Sequence, residues 1–327
     1  MDQDIYVDLL LNNSVESKTN SYVKAQFYTS VSQPILSKTN SHKLSIIRFT
    51  LDTESIPIFE AVMRNSTETI YSITMSYDGY EYTKYMDFIP QNLMVNDKFV
   101  YTYQFLIYMA NQCFIGCMNG LNSLVALPNT TYPMLEINVD TEKVSLNLDS
   151  ANFGYNEQNK INIYFNSQMY SLFDTLPANI LNISGDKAVQ INNIVSNNHD
   201  VLVQESSTTA IWSPVQSIVF TTNLLPVYSS ITPHIQIYQD GNLNNSSSNF
   251  TFTNILTDFI GNNQHFTPYI QYNPSIYRWI ALKDGSVIQN IDIQIYWLNK
   301  RTGQLHPLLI GLNGSASVKI LISKDKW

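Results

Sequence analysis

In VIQNIDIQIYWLN, residues 287–299, every second position from Ile291 to Trp297 is Ile or Trp, and Asp292, Gln294 and Tyr296 fall between them. A period of two predicts an extended strand with one buried face. The same alternation recurs at 143–148 (KVSLNL), 161–165 (INIYF), 234–238 (HIQIY) and 316–323 (ASVKILIS). Residues 43–50 (KLSIIRFT) form a β-rich run that stops at the polar turn 52–55, and 217–221 (SIVFT) predicts a buried strand. Residues 69–76 run into Tyr77-Asp78-Gly79-Tyr80, whose Asp-Gly pair predicts a hairpin. Many short strands with irregularly spaced turns predict an antiparallel sandwich rather than βαβ units.

One stretch departs from that period. Residues 99–135 contain no charged residue and no His, and Leu106, Met109, Cys113, Cys117, Leu121 and Leu124 recur at helical 3/4 spacing. The span is long enough to cross a bilayer. However, Gln104, Asn111, Gln112, Asn119 and Asn122 would put five amides into lipid, each at a cost. A helix buried in the β domain or at a subunit contact is the expectation. Ala110, Gly116 and Gly120 would let another element approach it closely. The polar, turn-rich stretches 150–159 and 184–209 interrupt the chain, but neither is a Gly/Ser linker.

Composition sharpens this picture. Only 13% of the 327 residues are charged, about half of the roughly 25% usual in soluble domains, while 44% are hydrophobic, with 21 Tyr and 15 Phe. A chain of this length buries a large core without metals or disulfides. An amide- and aromatic-rich exterior suits association, because interfaces are poor in charge and rich in Tyr, Trp, Phe and Met; a buried aromatic core accounts for the same counts. The net charge of −8 argues against broad contact with a phosphate backbone. The acidic start MDQDIYVDLLLNN lacks the basic region of a secretory signal. Cys113 and Cys117, four apart in a helix, are poorly placed for a disulfide, so synthesis in a reducing compartment is expected.

Reactive constellations are hard to find. His42, His199, His234, His265 and His306 are isolated, with no HxH or HExxH spacing for zinc. There is no GxSxG elbow, and GLNGS at 311–315 lacks the remainder of a phosphate loop. The acid pairs Asp52/Glu54 and Asp140/Glu142 stand in turn sequence, as solvated acids do. No catalytic, cofactor-binding or metal-binding residue is expected. Tyr77, Tyr80, Tyr82 and Tyr85 gather around one turn, where they could present rings to a glycan or a neighbouring protein.

Several stretches together carry a resemblance. They are Ala25-Gln26-Phe27, QPIL at 33–36, SIIRFTLDTESIPIF at 45–59, IYFNSQMYSLFDTLP at 163–177, WSPVQSIVFTTNLLPV at 212–227, NILTDF at 254–259 and YRWIALKDGSVIQNIDIQIYW at 277–297, with GSASVKILIS closing the chain. In these the chain resembles the penton, or minor capsid, proteins of virophages, Polinton-like viruses and adintoviruses. The resemblance implies a mainly β protein, an antiparallel jelly-roll β-sandwich with an insertion containing extra strands and one buried helix. Residues 1–98 and 210–327 would form the discontinuous framework and 99–209 the insertion. It further implies a structural protein of the virion without enzymatic activity, five copies closing each fivefold vertex beside a major capsid protein. A fibre, receptor or glycan could dock on its outer face, and no direct nucleic-acid contact is expected. Candidate assembly residues are Tyr77, Tyr80, Tyr82 and Tyr85, then Phe105, Met109 and Phe114 from the uncharged stretch, and Trp327 in a terminal arm. The alternatives are a carbohydrate-binding β-sandwich and another capsid subunit, such as a major shell or fibre-base protein.

Overall fold

The alternating residues 291–297 become the strand Asn290–Asn299 at the centre of a five-stranded antiparallel sheet. Val215–Thr222 pairs along one side of it and Asn254–Phe259 lies beyond; Gln26–Ser30 and Leu305–Pro307 share its other side. Ile291, Ile293, Ile295 and Trp297 are buried, as expected, yet Asp292 and Tyr296 on the opposite face are buried too. The Asp292 carboxylate accepts hydrogen bonds from Thr222 Oγ1, Asn223 N and Leu224 N, which pins the end of the neighbouring strand. Full pairing is what makes burial of such a group tolerable.

The computed structural model describes residues 4–14, 22–91, 98–149, 151–154, 159–181, 184–192, 200–228, 254–260 and 269–324. The strand expected at 234–238 lies outside the described residues. Those described fall into two compact units, one made of the chain up to Ile56 and from Pro214 onward, the other running from Pro57 to Ser213.

In the first unit a second antiparallel sheet runs in the order Ile5–Asn12, Ser315–Lys324, His42–Asp52, Tyr269–Tyr272, and Ile280–Ala281 also pairs with His42–Asp52. Phe49 and Tyr272 lie opposite each other in it and stack at 5.1 Å. Phe220 and Phe259 of the first sheet meet Phe49 at 5.0 and 4.8 Å, and Phe259 meets Tyr272 at 4.4 Å. This cluster is the seam of a two-sheet sandwich; each such ring pair contributes about 1 kcal/mol beyond the area it buries. Eight consecutive pairs hold Ile5–Asn12 to Ser315–Lys324, so these parts of the chain ends are sheet strands rather than free arms.

In the second unit a five-stranded sheet runs Ala178–Ile180, Val189–Ile191, Asn162–Phe165, Glu68–Tyr77, Tyr80–Asp87, and a three-stranded one runs Asp200–Val203, Val144–Leu148, Met134–Ile137. Asp78 and Gly79 both take positive φ, 49° and 79°, the backbone of a type I′ hairpin. The division at Ile56/Pro57 lies well before the 98/99 boundary implied by the resemblance. Glu68–Tyr77 pairs with both Asn162–Phe165 and Tyr80–Asp87, so the strands before residue 98 share a sheet with those after it. Downstream the division is at Ser213/Pro214, against an expected 209/210.

Candidate assembly surfaces

The uncharged stretch folds as the helix Tyr103–Asn122. Thr102 caps it, its Oγ1 accepting from Phe105 N at 3.3 Å. No acid stands in its first turn and no base in its last, so its stability comes from burial rather than from charges at its ends. Leu106, Met109, Ala110, Cys113, Phe114, Cys117 and Leu121 are almost wholly buried. Leu124, counted with them by spacing, is past the helix end and 50% exposed. Among the described residues no helix is long and apolar enough to cross a membrane.

The helix is clasped by both sheets of its unit. Asn111 donates to Leu135 O at 3.0 Å and accepts from Leu135 N at 2.7 Å, so a buried amide takes the place of a backbone partner beside Met134–Ile137. On the other side Cys113 Sγ donates to Lys84 O, and Cys117 Sγ lies 3.1 Å from Tyr82 O and 3.3 Å from Ile73 O. Burial pushes the Cys117 thiol up to about 12 and Cys113 well above its ordinary value. Neither forms a thiolate at neutral pH; both act as small packing groups.

This placement sorts the sequence candidates. Met109 and Phe114 are 1% and 0% exposed. They serve the core of their own unit, Phe114 meeting Phe165 at 5.9 Å, and they have no surface to offer a neighbour. The helical period that marks the buried stripe already contains Met109; lack of charge was the wrong signal for exposure here. Phe105 is half-buried and lies 6.0 Å from Tyr108, which is 48% exposed. The outward stripe of the helix is Gln104, Tyr108, Gln112, Asn119 and Asn122, all exposed and none charged. Trp327 lies outside the described residues.

The four tyrosines do not form one platform. Tyr77 and Tyr80 are directly paired, and Tyr82 follows Tyr80 on the same face, beside Gly120 of the helix. Tyr85 is on the opposite face, where its hydroxyl donates to Asp186 Oδ1 at 2.8 Å and the Arg64 guanidinium lies 4.0 Å from its ring. The sheet therefore separates Tyr85 from the rest, leaving Tyr80 and Tyr82 as the exposed members. Among the described residues no group of three or more His, Cys, Asp or Glu is placed to hold a metal ion. The isolated His306 is buried against Trp297, the rings stacked at 4.1 Å and 9°; burial lowers its pKa to about 4. The acids Asp52 and Glu54 flank the turn at Gly311 and Gly314, where a side chain in place of either glycine would overlap a carboxylate. This is a packed turn, with Tyr22 donating to Glu54 Oε1 at 3.1 Å.

The family model for the Sputnik minor capsid protein V18/19 matches residues 5–324. The chain belongs to that family. It is a structural capsid protein of a virion. No curated protein matches the sequence. Among solved structures, a chain of the Sputnik virophage determined by cryo-EM is similar at a TM-score of 0.77 and 21% identity, covering 99% of this chain and 98% of that one. The crystal structure of the mavirus penton protein is similar at a TM-score of 0.69 and 18% identity, covering 99% of this chain and all of that one. At these identities the likeness establishes the fold, which is the jelly roll of virophage penton proteins.

Proposed function

We propose that this minor capsid protein is the vertex subunit of an icosahedral shell, five copies closing a ring at each fivefold position beside a separate major capsid protein. The observation that carries the reading is the full-length likeness to a protein named as a penton, 99% of one chain against 100% of the other, in a chain of a minor capsid family. In this reading the first unit is the jelly-roll framework and the second is inserted into it. The role needs no reaction chemistry, in keeping with buried thiols, a packed acid turn and an Asp292 that serves backbone amides.

A ring of five closes through heterologous contacts, one flank of each copy fitting a different flank of the next. Each contact can be weak, because closure engages all of them together. Uncharged exposed groups suit such contacts, since their burial forfeits no ion hydration. Cryo-EM of particles carrying an epitope-tagged copy tests the position: label at the fivefold vertices is the expected result, and label on the facets would overturn it.

A further inference from the structure

Residues 57–213 hold 15 Asp and Glu against 6 Lys and Arg, a net of −9, while the rest of the chain holds 11 against 12, a net of +1. All of the net negative charge therefore belongs to the second unit. Copies touching through two such surfaces would bring like charges within the Debye length of about 8 Å at physiological salt. The first unit carries no such penalty.

On the first unit, Ile276 is 81% exposed and Tyr277 and Trp279 are 40% exposed each; Trp279 is the only exposed tryptophan among the described residues. They stand where one sheet edge is interrupted, between the pairings of Tyr269–Tyr272 and Ile280–Ala281 with His42–Asp52. The Tyr277 and Trp279 rings meet edge to face at 5.9 Å, and the Lys43 ammonium lies 4.8 Å from the Trp279 ring centre. Arg278 ties the same segment across to the other sheet, its Nη1 bonding Asp258 O at 2.6 Å, Asp258 Oδ1 at 2.9 Å and Thr257 Oγ1 at 3.3 Å. The patch is thus held in place before anything binds, which lowers the ordering cost of docking.

We propose that the patch Ile276, Tyr277 and Trp279, with Lys43 at its rim, is the surface by which one copy grips the next, its occupant being a second copy of this chain. The inference rests on the ring reading and deepens it by assigning the copy–copy contact to the first unit. A clamped Trp–Tyr pair is the kind of anchor that dominates interface energetics, and the first unit, at a net of +1, lets a second copy approach without the like-charge penalty that the second unit would bring.

Native mass spectrometry over a concentration series tests this with Trp279→Ala, Tyr277→Ala, Trp279→Phe and, as a comparison on the second unit, Tyr108→Ala. The expected result is association at least about tenfold weaker for the two alanine variants at the patch, a typical anchor effect. Their circular dichroism and melting should be unchanged, with near-normal association for Trp279→Phe and Tyr108→Ala. Wild-type association in Trp279→Ala and Tyr277→Ala would overturn the patch while leaving the ring reading intact. Variants that form rings but fail to co-assemble with another shell protein would overturn the second copy as occupant. A wild-type chain that forms no ring would remove the ring reading and this inference with it.

Discussion

Tyr82 fills the space beside Gly120: a Cβ on that glycine would overlap the Tyr82 ring. A glycine inside a helix costs about 1 kcal/mol relative to alanine, so its presence here reflects the approach of the strand. Gly120→Ala is expected to displace Tyr82 and destabilise the protein by about 1–2 kcal/mol. In a Tyr82→Ala background the sign should reverse, alanine at 120 then stabilising by about 1 kcal/mol. Urea unfolding of the four proteins checks this double-mutant cycle.

Asn111 supplies both a donor and an acceptor to the backbone of Leu135. Asn111→Leu would leave a buried N–H and a buried C=O unsatisfied, and a loss of roughly 2–4 kcal/mol is expected. Amide hydrogen exchange at Leu135 should quicken relative to wild type if the loss is local to Met134–Ile137.

Asp292 accepts from two backbone amides and one hydroxyl at the end of Val215–Thr222. Asp292→Ala is expected to cost about 3 kcal/mol, because Thr222 Oγ1 and the amides of Asn223 and Leu224 lose the charged acceptor they share. A melting temperature within a degree of wild type would contradict this account of the buried carboxylate.

His306 gives a pH dependence with a defined sign. It is neutral in the folded protein, its pKa lowered by burial from 6.5 to about 4. The unfolded chain therefore takes up the proton first as pH falls below 6.5, and folded stability declines until pH reaches about 4. The slope approaches 1.4 kcal/mol per pH unit, reaching a loss of roughly 3 kcal/mol. Above pH 6.5 the group contributes no dependence. His306→Phe, which keeps a ring against Trp297, should flatten the decline between pH 6.5 and 4 in denaturant titrations.

Much of the fold was legible because it rests on local period and turn chemistry. The strand at 291–297, the Asp78-Gly79 hairpin and the helix through Leu106, Met109, Cys113 and Cys117 all follow from spacing. What escaped depends on partners distant in sequence. Nothing near Asn111 announces a bond to Leu135, and the unit boundary at Ile56 follows from Glu68–Tyr77 pairing with Asn162–Phe165. Met109 and Phe114 are buried although their stretch is free of charge, because such a stretch can mean an interface or a helix enclosed by two sheets, and composition does not separate these. The four tyrosines are close in sequence, but the pleat puts Tyr85 on the face away from Tyr80 and Tyr82.

The ring itself is tested most directly by the mass of the purified assembly near physiological salt. Five chains of 37.4 kDa should give a closed species of about 187 kDa with fivefold averages by electron microscopy. A particle that stays at 37.4 kDa across the concentration range, or one with threefold or sixfold symmetry, would contradict the vertex assignment.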